Sequence, residues 1–214
     1  MHYVDFFVGK NKMGKNKGLV EQSMHEREKE LNCLYNVEKL MTDHEKSLEE
    51  ILNVIVGYLP PAWQYPDIAC ARITFRGQEY VSAGFKPSRW KQSANILNGS
   101  QKAGCIEVYY QKKRPVMDEG AFLKEERILI DTIACQVGNA YKRIKLEDTL
   151  KERIKELGCL YGVSNIIEKH NSDYKKILQE IVDLLPAAWQ YPGITCAKII
   201  LNIEEFKTDN YKDM

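Results

Sequence analysis

Arg72, Glu107 and Tyr109 place a guanidinium, a carboxylate and a phenol within two short, largely apolar runs. Arg72 sits in the run ACARITF (69–75), and Glu107 and Tyr109 sit in GCIEVYY (104–110). Alternate residues of a strand share a face. Cys70, Arg72 and Thr74 therefore oppose Ala69, Ala71, Ile73 and Phe75. Likewise Cys105, Glu107 and Tyr109 oppose Ile106, Val108 and Tyr110. If the apolar faces meet helices, a guanidinium, a carboxylate and a phenol remain on the far side, with Trp90 expected beside them. Arg72, Trp90, Glu107 and Tyr109 are the candidate ligand face, a set able to orient a small polar molecule. The same residues also fit a cross-strand ion pair on a solvated or dimer-covered face. Only about eight residues (85–92) and then six (98–103) join the strands beside this face, too little chain for a deep lid.

The cysteines offer a second chemistry. Cys70 or Cys105 could serve as nucleophile in a small redox or hydrolytic enzyme, although no histidine lies near either in sequence. All six, at 33, 70, 105, 135, 159 and 196, lack Cys-x-x-Cys spacing and read as reduced, buried small hydrophobes. His2, His25, His44 and His170 form no metal spacing; His44 and His170 read as capping or surface residues. GKNKMGKN (9–16) falls short of a phosphate-binding loop, because Asn16 stands where a hydroxyl would hold magnesium. No catalytic constellation, cofactor motif or metal set is expected.

These groups must be positioned by a chain with 44% hydrophobic residues and 31 basic against 30 acidic residues, net +1. That balance gives no electrostatic footprint for nucleic acid. The apolar runs are too short to span a membrane, and the start does not read as a secretory signal. A cytoplasmic location is expected.

Sliding the chain by 126 residues aligns Glu30–Ile73 with Glu156–Ile199 without a gap, and 22 of those 44 pairs are identical. LPPAWQYPDIACARI (59–73) thus returns as LPAAWQYPGITCAKI (185–199). The sequence contains a duplicated domain. In the first copy, residues 19–41 read as a helix, and Ser47 with Glu50 reads as a capping box opening a second helix stopped by Pro60-Pro61. Strands follow at 68–75, 79–84, 92–97 and 104–110, then a helix from Ala121. The second copy repeats the helix pair, with Asp173 in the place of Ser47, then strands at 194–201 and 205–207. It lacks counterparts to Trp90, the last two strands and the closing helix, so it reads as truncated or completed by another subunit. The AWQYP string reads as a rigid aromatic corner packing helix end onto sheet.

Residues 122–169 contain no proline and read as one connecting helix. Val137, Ala140, Ile144, Leu150, Ile154 and Leu157 are the candidate dimer seam, a 3-4 stripe broken by a step of six after Ile144. Residues 122–144 fit equally a helix packed on its own sheet.

The strings LxCLYxV, LPPAWQYPDIACARI, WKQSANI, GCIEVYY, DEGAFLKEERILI and DTIACQVGNAYKRI resemble a compact GAF-like sensory domain found upstream of bacterial and archaeal histidine kinases and other signalling proteins. Ala121 departs from the family pattern, which has proline there. The resemblance implies an α+β fold, a GAF/PAS-like small antiparallel sheet packed with N- and C-terminal helices, and a long connecting helix to a partial second copy. The expected organisation is a flexible basic tail (1–25), a complete domain (26–145), a connecting helix (122–169) overlapping both copies, and a truncated copy (154–214). The implied function is non-catalytic: sensory regulation and homodimerisation, acting on a signalling output domain or protein, with a small molecule as possible ligand. A ligand-free coiled-coil adaptor and the cysteine enzyme stand as alternatives.

Overall fold

In a computed structural model, the backbone is described for residues 5–43 and 45–212, and side chains from Ser23 onward. The GKNKMGKN stretch and most of the 1–25 tail therefore concern side chains outside the described residues, as do His2 and His44. The chain divides into two compact units, Met1–Lys142 and Arg143–Met214.

Unit one opens with α1 (Asp5–Met41) and α2 (Leu48–Ala62). The capping box forms: the Ser47 hydroxyl accepts from the Glu50 N–H, and the Glu50 carboxylate accepts from the Ser47 N–H at 2.8 Å. The helix buries Leu48, Ile51, Leu52, Ile55, Val56 and Leu59 as one face. Pro60 and Pro61 sit inside its last turn rather than beyond it, and Trp63 closes it by donating to the Pro60 carbonyl.

Four strands follow: β1 (Ala69–Phe75), β2 (Gln78–Val81), β3 (Trp90–Asn98) and β4 (Gln101–Tyr110). They form one antiparallel sheet in the order β2-β1-β4-β3. The β3–β4 hairpin turns through Gly99, whose φ of +61° suits glycine at the first turn position. The β3–β4 connection is thus tighter than the sequence implies. Gly104 lets β1 and β4 approach, since a Cβ there would lie 2.2 Å from the Thr74 carbonyl oxygen.

The next helix, α3, runs from Lys124 to His170. It starts three residues later than expected, because Ala121 and Phe122 are buried in a bridged turn ahead of it. Its first part buries Leu129, Ile130, Ile133, Ala134 and Val137. Gly138 brings it onto β3, where a Cβ would lie 2.4 Å from the Leu97 carbonyl oxygen. Tyr141 meets Phe75 edge-on at 5.1 Å. The core thus lies between one face of the sheet and the helices.

Unit two contains the rest of α3, then α4 (Tyr174–Leu184), β5 (Lys198–Leu201) and β6 (Glu204–Lys207). Asp173 caps α4 as expected, accepting from the Lys176 N–H. Gly162 admits Leu184, whose Cδ2 would lie 2.5 Å from a Cβ at that glycine. His170 pairs with Glu180 at 2.7 Å. Among the described residues, β5 and β6 form a separate two-stranded sheet. The architecture is mixed α+β, with a small antiparallel sheet and two long helices, α1 of 37 and α3 of 47 residues.

Candidate functional site

The register of the sheet decides which predicted residues meet. Arg72 lies directly opposite Glu107, and Cys70 opposite Tyr109. The Arg72 guanidinium donates to Glu107 Oε2 twice, from Nε at 2.9 Å and Nη2 at 2.6 Å. Nη2 also donates to the Tyr109 hydroxyl at 3.2 Å, and Nη1 to Glu79 at 3.2 Å. Lys91 donates to the other Glu107 oxygen at 2.9 Å. Phe85 closes over one side, edge-on to Tyr109 at 5.6 Å.

Trp90 does not join this face. It pairs with Tyr110, so both lie on the helix-facing side, and the Arg89 guanidinium stacks on its ring at 4.5 Å. Along β3 Trp90 shares a side with the buried Gln92, Ala94 and Ile96, and a β-bulge sets the register that matches this side to the Tyr110 face of β4. The pairs Leu97↔Lys102 and Ile96↔Gly104 leave Ala103 as an extra residue, which shifts every later pair by one. Without it, Trp90 would oppose Tyr109 on the polar face. Lys91 takes the expected place. The alternation of Lys91, Ser93 and Asn95 with Gln92, Ala94 and Ile96 is the signal that could have found it.

The cluster is electrostatically closed. Hydrogen bonds to Glu107 hold Arg72 and Lys91 above their ordinary values. Burial pushes the Glu107 carboxyl up, but the donors from Lys91, Arg72 and Tyr109 together outweigh it, and the net direction is down. Burial also raises Tyr109. Arg72 uses Nε, Nη1 and Nη2 inside the chain. This arrangement ties all four strands on one face.

A second network escaped the sequence reading. The Trp63 indole donates to Gln92 at 3.2 Å, and the Gln92 amide donates to Glu119 at 2.9 Å. Arg127 of α3 holds Glu119 and donates to the Ser93 carbonyl at 2.8 Å. Beside it, Glu126 is 1% exposed and accepts three hydrogen bonds: from Gln64 N–H at 2.7 Å, Tyr110 hydroxyl at 2.8 Å and Leu123 N–H at 2.7 Å. Burial drives its pKa up against the pull of those donors. The AWQYP corner is therefore fastened to the sheet and to the start of α3. The only sequence trace of this is a glutamate three residues after Leu123 at a helix start.

The thiols are free and unevenly placed. Cys33 and Cys70 are buried, Cys105 and Cys159 half-buried, and Cys135 and Cys196 exposed, which corrects the expectation that all six are buried. Burial pushes the Cys33 thiol up to about 12 and raises Cys105, away from the thiolate a nucleophile needs. Cys70 donates to the Lys86 carbonyl at 3.4 Å. Among the described residues, no group of three His, Cys, Asp or Glu is arranged to hold a metal, and no helix is long and apolar enough to cross a membrane.

The seam residues separate into two classes. Val137 and Ala140 are buried in the core of unit one, so they are packing residues and not seam residues. Ile144 is half-buried. Leu150, Ile154 and Leu157 are exposed, and Tyr161 extends them at the same 4-3-4 spacing. Intrahelical pairs Glu152–Lys155 and Arg153–Glu156 flank this stripe.

The chain matches no family model, no curated protein and no solved structure.

Proposed function

We propose that this chain is a non-catalytic sensory and dimerisation module of a signalling protein, built from one complete GAF-like domain and part of a second. A change at the sheet or corner of unit one biases the arrangement of α3, and a homodimer passes it to an output domain or protein. The observation carrying this reading is the exposed stripe of Leu150, Ile154, Leu157 and Tyr161 on a helix whose earlier turns are buried in unit one. A 4-3-4 apolar stripe on a charged helix matches the seam of a parallel coiled coil. Glu126 and Arg127 link the start of that helix to the tryptophan corner and sheet. The test is a Leu150→Glu/Ile154→Glu variant: it retains the wild-type circular dichroism and scatters light as single chains. Retention of the wild-type dimer mass by that variant refutes the seam.

A second reading, a coiled-coil adaptor without a ligand, is favoured by the closed state of Arg72, whose donors are engaged by Glu107, Tyr109 and Glu79. A thermal-shift screen separates the two, because a ligand that binds the folded state raises its melting temperature and an adaptor has none.

A further inference from the structure

The duplicated corner meets opposite surroundings in its two copies. Trp63 is 0% exposed and Ile68 8%, whereas their counterparts Trp189 and Ile194 are 53% and 82% exposed. The pairing of the first two strands is nevertheless the same, although β5 begins three residues later than β1 does in its own copy. The β5–β6 pairs Lys198↔Lys207, Ile199↔Phe206, Ile200↔Glu205 and Leu201↔Glu204 repeat the β1–β2 pairs Arg72↔Val81, Ile73↔Tyr80, Thr74↔Glu79 and Phe75↔Gln78, all at the offset of 126. The Ala197 N–H bonds the Thr208 hydroxyl as Ala71 N–H bonds Ser82. Lys198 pairs with Glu205 as Arg72 pairs with Glu79.

What differs is the covering. In unit one β4 pairs with β1 from Ala69↔Tyr110 to Phe75↔Gly104, Gln92 takes the Trp63 indole, and Glu126 takes the Gln64 N–H. Among the described residues β5 pairs with β6 alone, so the edge that β4 fills in unit one is open. Ile200 and Leu201 of β5 are exposed, and a cleft of about 550 Å³ opens between α3 and the corner, walled by Cys159, Leu160, Leu185 and Trp189. An open strand edge next to exposed apolar side chains is a docking surface for another chain.

We propose that unit two receives one kind of polypeptide: a β-hairpin followed by an amphipathic helix, built like residues 90–134 of this chain. The second strand of the hairpin adds antiparallel to the β5 edge. A glutamine on its first strand accepts from Trp189, and a glutamate on its second faces Lys198, as Glu107 faces Arg72. A carboxylate in the first helical turn accepts the Gln190 N–H. Unit one is the template for each of these contacts.

The test extends the full chain after Met214, the counterpart of Ser88, with a further copy of residues 89–142, and follows alkylation of Cys196 by mass spectrometry. Cys196 is exposed, and its counterpart Cys70 is buried. Alkylation of Cys196 slows by about tenfold or more in the extended chain, as for a thiol reached only by local opening. A hairpin peptide of residues 90–111, added to the unextended chain, slows it in trans, and its Glu107→Lys form protects less. Continued protection of Cys70 in each sample reports that unit one remains folded. Equal Cys196 rates in the original chain, the extended chain and the peptide mixture overturn the proposal. So does protection in the unextended chain that is lost on dilution, which assigns the surface to a second copy. This proposal rests on the duplication and not on the α3 seam: Cys196 protection reports the docking surface, light scattering of the Leu150→Glu/Ile154→Glu variant reports the seam, and either can fail without the other.

Discussion

Glu126 shows how one residue organises its surroundings. Its carboxylate accepts from two backbone N–H groups and a phenol in a site that water scarcely reaches. Glu126→Ala leaves three donors unpaired and should lower stability by about 2–4 kcal/mol in urea unfolding. Glu126→Gln keeps one acceptor oxygen but turns an amide donor toward a donor, so its loss should be smaller, about 1–2 kcal/mol. The folded-state pKa of Glu126 is raised, so its contribution is present at low pH and is lost as pH rises through that value. The wild type should therefore lose stability relative to Glu126→Gln over that rise. Little of this was legible in the sequence. Arg72, Glu107 and Tyr109 could be placed on one face by alternation alone, whereas Trp63 meets Gln92 across 29 residues of chain and Gln64 meets Glu126 across 62, and no local pattern announces such contacts.

Local rules explain which elements could be read in advance. The Ser47–Glu50 box and the Asp173 cap involve residues three apart, and both formed as expected. The long helix was legible because proline is absent from it. Trp90 was misplaced although its own strand held the signal, since it shares a side with Gln92, Ala94 and Ile96; what local pattern does not show is the bulge at Ala103 that matches that side to the Tyr110 face of β4. Spacing alone also left open whether Val137 belonged to a seam or a core; Gly138 resting on Leu97 settles it as core. Gly138→Ala should destabilise unit one by about 1–3 kcal/mol in thermal unfolding, since the new Cβ collides with backbone rather than with a movable side chain. In the β5–β6 hairpin, hydrogen bonds from Lys198 and Lys207 depress the Glu205 pKa to about 2. A depressed carboxylate contributes stability above its ordinary value and loses it as pH falls toward the folded value. Carboxyl NMR should give a Glu205 midpoint near 2, returning toward the ordinary glutamate range in Lys198→Ala; an ordinary midpoint in the wild type removes that ion pair from the account.

At the level of the whole molecule, the duplication was plain from 22 identities in 44 aligned pairs. The opposite burial of Trp63 and Trp189 was not, because burial belongs to the segments that cover a residue and not to the residue itself. The same logic governs α3: its early turns are buried by the sheet of unit one, and the apolar stripe at Leu150, Ile154 and Leu157 is exposed in the single chain. An exposed stripe of that spacing is the basis for proposing a second chain there. Multi-angle light scattering of the full chain at micromolar concentration tests this most directly. A particle of twice the single-chain mass is the predicted result; a particle of single-chain mass at every concentration contradicts the dimer and, with it, the transmission of a change along α3.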